Sequence, residues 1–218
     1  MSAGVASSVP TEFLREITGP AGPLEARLDL PEGPPRAVAV CGHPHPLHGG
    51  TMHTKALYQT AKALTRVGVA ALRINFRGVG ASAGTFDAGP GEQDDFRAAL
   101  AFAAARFAGL PLWAAGMSFG SWIALTVGAA DPRVSLLLAV APPVDRYDFS
   151  TVAASPKPKF LVHGAEDELI SAKAIRAFYA TMADPKELVL IEDANHLFEG
   201  KTTLVGDAVE DLLADWPA

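Results

Sequence analysis

The chain is 218 residues long, 49% hydrophobic and 19% charged, which supports one sizeable core and excludes a disordered chain. Eighteen basic against 24 acidic residues leave a formal net charge of −6, which argues against nucleic acid or an anionic membrane as the main partner. A single cysteine, Cys41, in the apolar run AVAVC, excludes an internal disulfide and reads as a buried strand thiol.

The opening MSAGVASSVP has neither a basic start nor an apolar run of signal-peptide length. No later stretch approaches the roughly 18 apolar residues of a membrane span. A cytoplasmic location is therefore expected, with residues 1–10 flexible and 1–218 forming one domain. In chain order, EFLREI and PLEARLDL flank a Gly-Pro-Ala-Gly-Pro turn and predict an antiparallel hairpin over 12–30. Continuously apolar runs then predict strands at 37–42, 69–75, 111–115, 134–141, 159–163 and 187–191. Helical patterns fill about 54–67, 92–108, 119–130, 171–183 and 202–215. This alternation implies an α/β fold with a mostly parallel sheet, helices on both faces and an N-terminal antiparallel hairpin. The longest irregular stretches, 43–52, 76–91 and 142–158, all follow strands, where a parallel sheet places its ligand crevice. None is long enough for a cap domain, so an open site is expected.

The pattern Gly-x-Ser-x-Gly occurs twice, around Ser82 and around Ser118. A nucleophilic serine of this kind stands on a sharp strand-to-helix turn that lifts Oγ clear of the backbone. Ser118 follows the strand run LPLWAA and opens the helical run FGSWIALTVGAA, with Gly116 and Gly120 keeping the crossing uncrowded. Ser82 runs instead into Thr85-Phe86-Asp87-Ala88-Gly89-Pro90-Gly91, where no helix start is expected for several residues. Ser118 is the expected nucleophile and Ser82 a loop residue.

A serine nucleophile needs an imidazole base, and the base needs a carboxylate to fix its tautomer and stabilise its charged form. After a serine on such a turn, the acid comes next in the chain and the histidine last. Two histidines follow Ser118. His163 ends the strand run KFLVH and suits a structural role, whereas His196 lies in a loop just past the last strand and is the expected base. Asp167, in the loop after His163, is the favoured acid, with Asp145 in the loop 142–158 as the alternative. Glu166 and Glu168 read as solvated charges.

Acyl transfer also needs backbone N–H groups aimed at the developing oxyanion. The amide of Phe119, directly after the nucleophile, is one expected donor. The second is expected from the loop that begins at His43. Pro44 and Pro46 carry no N–H, which favours the backbone of His45. Apolar candidates for lining the crevice are Leu47, Met52, Phe86, Phe119 and Phe198. So few apolar groups and no cap suggest short acyl chains, about C2 to C6.

Six segments together resemble the small cap-less bacterial α/β-hydrolases related to serine esterases and dienelactone hydrolases. They are His43-Pro44-His45-Pro46 with Gly49-Gly50-Thr51-Met52, Asn75 to Ser82, Phe86 to Glu92, Gly116 to Gly120, His163 to Asp167, and Asn195-His196. The resemblance implies an α/β-hydrolase fold, a triad of Ser118, Asp167 and His196, and oxyanion donors at Phe119 and the His45 region. It also implies that Arg77 and Glu92 shape loops. Dienelactone hydrolases use cysteine where this chain has Ser118, so their substrate is not carried over. The implied activity is cleavage of a small-molecule ester, with no cofactor and no metal.

Other readings stay open at this level. The same triad serves peptidases, amidases and thioesterases. Four of the six histidines, His43, His45, His48 and His53, fall within eleven residues, the pattern of a metal site. Against that, no cysteine joins them and two prolines stiffen the segment. A non-catalytic binding module would be marked by a missing triad member, and none is missing. Oligomeric state is not legible.

Overall fold

Eight strands form a single sheet in the computed structural model, which describes residues 10–217. The expectation of flexibility over 1–10 falls on residues 1–9, outside the described residues; Pro10 itself accepts a hydrogen bond from Leu30 N (2.9 Å). The strands are β1 (Thr11–Gly19), β2 (Gly22–Asp29), β3 (Ala37–Gly42), β4 (Val69–Ile74), β5 (Leu112–Met117), β6 (Val134–Val140), β7 (Lys159–Gly164) and β8 (Lys186–Ile191). Their spatial order is β1-β2-β4-β3-β5-β6-β7-β8. The pairs β1–β2 and β2–β4 are antiparallel and every other pair is parallel. The helices are α1 (Lys55–Arg66), α2 (Pro90–Arg106), α3 (Phe119–Ala130), α4 (Ser150–Ala154), α5 (Ala172–Thr181) and α6 (Thr202–Leu213). One turn of 3-10 helix occupies Pro46–His48.

Two apolar layers follow from the two-residue period of the strands. Val38 and Val40 of β3 and Leu112 and Ala114 of β5 face the layer covered by α2, α3, α4 and α5. Ala37, Ala39, Cys41, Trp113, Ala115 and Met117 face the layer under α1 and α6. Burial on both sides explains why the central strands read as unbroken apolar runs rather than alternating ones. Cys41 is buried, and burial pushes its thiol up to about 12, so it is an inert core group. Among the described residues no helix is long and apolar enough to cross a membrane.

The elements match the expected ones to within a residue or two at most ends, and three differences bear on the site. β5 continues to Met117, which carries the strand straight into the Ser118 turn. Helix α2 begins at Pro90, earlier than the glycine- and proline-rich run suggested. Proline suits the first helical position, and buried Glu92 turns back to accept Gly89 N (2.7 Å) and Asp87 N (2.8 Å), capping the helix. The stretch 142–158 holds the five-residue helix α4. The chain forms an α/β-hydrolase fold without a cap domain.

Register sets the site. Gly42 pairs with Gly116, Gly116 with Ala139, Val140 with Val162, and Gly164 with Ile191. The carboxyl ends of β3, β5, β6, β7 and β8 therefore lie along one edge. Chain order reverses between β3 and β5, the switch point where such sheets open a crevice.

Candidate active site

Ser118 stands between β5 and α3 at φ 51° and ψ −125°, a left-handed conformation that a serine adopts only when its surroundings impose it. Ser118 N donates to Val140 O (2.8 Å), and its carbonyl accepts from Ser121 N (2.8 Å) and Ser121 Oγ (2.6 Å). The turn is tight enough to require its glycines. A Cβ on Gly116 would lie 2.3 Å from Gly120 O, and one on Gly120 would lie 2.3 Å from His43 O.

His196 reaches this turn from the loop after β8. Its Nε2 lies 2.9 Å from Ser118 Oγ, and its Nδ1 lies 2.7 Å from Asp167 Oδ2. Asp167 Oδ1 accepts Leu169 N (2.8 Å) and Ile170 N (2.9 Å). Burial works against ionisation of Asp167, but the His196 hydrogen bond and the two amides outweigh it and hold the carboxyl below its ordinary range. With the carboxylate accepting, His196 Nδ1 is the donor, which leaves Nε2 free to accept the Ser118 hydroxyl proton. Asp145 is exposed on the turn after β6 and is not the carboxylate that meets His196.

Two further groups brace this arrangement. Glu168 Oε2 accepts His196 N (3.1 Å), so the carboxylate expected to be solvated holds the His196 backbone. His163 is buried, its Nε2 lying 2.8 Å from Ile170 O and 3.4 Å from Asp167 Oδ2. A structural role was expected of His163; that of Glu168 was not legible, since a second carboxylate beside Asp167 carries no distinguishing spacing. Ser82 is built differently. Its Oγ donates to Asn75 O (2.7 Å) and accepts Glu25 N (2.9 Å), tying the glycine loop to the hairpin.

A pocket of about 140 Å³ opens at Ser118 and His196, walled by His45, Phe119, Tyr147, Leu169 and Ile170 and edged by His48, Pro143 and Arg146. Behind it Tyr147 stacks on Trp122, with centroids 4.2 Å apart, and Phe119 meets both edge-on. Two larger hollows, about 540 and 560 Å³, lie elsewhere, beside Arg66 and beside Lys55. Neither is lined by a serine, cysteine or histidine, so chemistry rather than size marks the site.

Of the expected lining residues, Phe119 lies in the pocket wall. Phe86 packs against His45 and Phe119, with centroids 4.9 and 5.8 Å away, one layer back. Leu47 is 68% exposed on the 3-10 turn. Met52 and Phe198 are corrections. Met52 is fully buried, with its N donating to Asn75 Oδ1 (2.8 Å) and its O accepting from Arg73 Nη1 (2.7 Å). Phe198 belongs to the core layer under α1 and α6. Tyr147, Pro143, Leu169 and Ile170 were missed, although all sit just past strand ends, the position that signals a crevice. The four clustered histidines do not converge. His43 is buried beneath the loop, His45 and His48 stack 4.4 Å apart, and His53 is exposed.

Residues 39–155 match the family model described as serine aminopeptidase, S33. An uncharacterized protein of Rickettsia prowazekii is 36% identical over 209 residues, 90% of this chain and 87% of that one. An α/β serine hydrolase homologue from Coxiella burnetii superposes with a TM-score of 0.87 at 34% identity, covering 98% of this chain and 100% of that one. A serine hydrolase described as having no lid, from Xanthomonas campestris, gives 0.87 at 35% identity and 98% of each chain. The chain is thus a small serine hydrolase of the α/β-hydrolase fold and belongs to the family described as serine aminopeptidase, S33.

Proposed function

We propose that the chain hydrolyses small carboxylic esters through an acyl-enzyme on Ser118. The carrying observation is the unbroken run from Ser118 Oγ through His196 to Asp167, at 2.9 and 2.7 Å. As Ser118 Oγ attacks the ester carbon, His196 Nε2 takes its proton and Asp167 stabilises the imidazolium. The tetrahedral intermediate collapses with cleavage of the carbon–oxygen bond, and His196 returns the proton to the departing alcohol. Water, deprotonated by His196, then attacks the acyl carbon. Collapse frees the acid and restores Ser118.

The amides of Phe119 and His45 are the oxyanion donors in this reading, each contributing about 3 kcal/mol in the transition state. Loop bookkeeping supports His45. The amides of Leu47, His48, Gly49, Gly50, Thr51 and Met52 already donate within the loop or to Asn75, and two of the remaining residues are prolines. Of His43 and His45, only His45 lines the pocket.

Esters are favoured over aminopeptidase substrates by charge. The permanently charged side chain at the pocket edge is Arg146, which repels the free ammonium such a substrate carries. Kinetics on p-nitrophenyl butyrate and alanine p-nitroanilide, with Ser118→Ala alongside, test the reading. The ester should turn over faster, and Ser118→Ala should abolish it with the fold intact. Faster anilide cleavage would instead make the chain a peptidase.

A further inference from the structure

His43 is fully buried, one residue past the end of β3, and touches neither the pocket nor the triad. Both its ring nitrogens are committed to backbone. Its Nε2 lies 3.1 Å from Phe76 N, and its Nδ1 lies 2.6 Å from Pro44 O. Phe76 N–H can only donate, so Nε2 accepts and the proton sits on Nδ1, which donates to the Pro44 carbonyl. Burial, opposed by that carbonyl bond, pushes the imidazole down to about 4, so this neutral tautomer persists at working pH.

The Pro44–His45 peptide is trans, so its C=O and N–H point in opposite directions in one plane. Holding the Pro44 carbonyl beneath the loop therefore turns the His45 N–H outward, toward the pocket that His45 shares with Ser118 and Phe119. Gly50 closes on the same carbonyl from another side, where a Cβ would lie 2.2 Å from Pro44 O. Phe76, just past the end of β4, anchors the ring in turn, both through its amide and through ring contact at 4.8 Å.

We infer that His43 is a positioning residue, which sets the direction of the Pro44–His45 peptide and so aims the second oxyanion donor. The inference rests on the ester-hydrolase reading above. It assigns the loop's first histidine a role that is neither base nor ligand, exerted from the side of the peptide away from substrate. Phe76 extends the device to β4, because its amide dictates which nitrogen of His43 carries the proton.

Two amides separate the halves of the ring's work. His43→Asn places an N–H donor close to the position of Nδ1 and keeps the bond to Pro44 O. His43→Gln reaches toward the position of Nε2 and keeps an acceptor for Phe76 N, without the donor to Pro44. The full-length variants are assayed with p-nitrophenyl butyrate, and their affinity for a trifluoromethyl ketone, whose hemiketal oxyanion occupies the hole, is measured in parallel. His43→Gln should lose about 30- to 300-fold in kcat with KM changed less than about threefold, the loss expected for one misdirected donor. Ketone affinity should fall by the same factor. His43→Asn should recover at least tenfold of that loss. Folded His43→Gln with wild-type kcat, or a loss confined to KM, overturns the inference. So does a ranking in which Gln outperforms Asn, including one produced by Asn failing to fold while Gln folds. If neither amide folds, Gly50→Ala decides, since it displaces the same carbonyl without touching the ring; an undiminished kcat there overturns the inference as well. Ser118→Ala separates the two levels. Activity surviving in Ser118→Ala removes the hydrolase reading, whereas an inactive Ser118→Ala beside a fully active His43→Gln removes only the role of His43.

Discussion

Asp167 and Asp145 both follow strands, and only geometry separates them. Asp167 is desolvated, bonded to His196 and held by two amides, whereas Asp145 is exposed. Asp167→Asn should lower kcat by about 10⁴-fold, because an amide no longer selects the productive tautomer of His196. Asp145→Asn should stay within about threefold of wild type, and a reversed ranking in p-nitrophenyl ester kinetics would move the acid to Asp145. His43 gives a second expectation at this scale, in stability rather than rate. Its folded value of about 4 lies below the ordinary 6.5, so the folded state resists protonation. The associated stability is complete above pH 6.5 and is lost as pH falls from there through 4, about 3 kcal/mol in all. Burial shifts His163 in the same direction. Asp167, depressed below 3.8, contributes stability that is lost only at lower pH, as pH falls through its folded value. Calorimetry should therefore show Tm falling between pH 6.5 and 4, and a flat Tm over that window would contradict the buried neutral imidazoles.

At the scale of elements, the β5–turn–α3 unit is the structural core of the account. Gly116 and Gly120 let α3 cross β5 and β3 at backbone contact. Gly116→Ala forces a methyl to within 2.3 Å of Gly120 O, a backbone atom with nowhere to go. It should cost about 1–3 kcal/mol in urea unfolding and displace Ser118 enough to remove most activity. A variant of wild-type stability and rate would show the crossing to be looser than it is drawn. This unit was legible because its signals are local: an apolar run, a glycine–serine–glycine turn and a helical run adjoin one another. Helices α1, α3 and α6 and the parallel strands were legible for the same reason, since burial on both sheet faces leaves unbroken apolar runs. Beyond Phe119 and His45, the pocket wall was not. Tyr147 and Leu169 come from separate loops and meet only through sheet register, and Phe198 looked available because it follows His196 closely. Its burial under α6 depends on the path of the loop after β8, which no local pattern encodes.

Across the whole molecule, the parallel strands β3 to β8 deliver their carboxyl ends to one edge, and among the described residues no cap covers them. The small pocket, about 140 Å³, sits below the usual range for drug-sized ligands, roughly 300–1,000 Å³. A p-nitrophenyl ester series should peak at short acyl chains, about C2 to C6, and a maximum at C12 or longer would require a surface the pocket does not have. The central claim, that one serine on the β5–α3 turn is the nucleophile, is tested most directly by labelling the full-length protein with a fluorophosphonate and mapping the modified residue by mass spectrometry. A single adduct should form on Ser118, vanish in Ser118→Ala and persist in Ser82→Ala. An adduct on Ser82 or elsewhere, or a wild-type protein that hydrolyses esters yet takes no label, would contradict it.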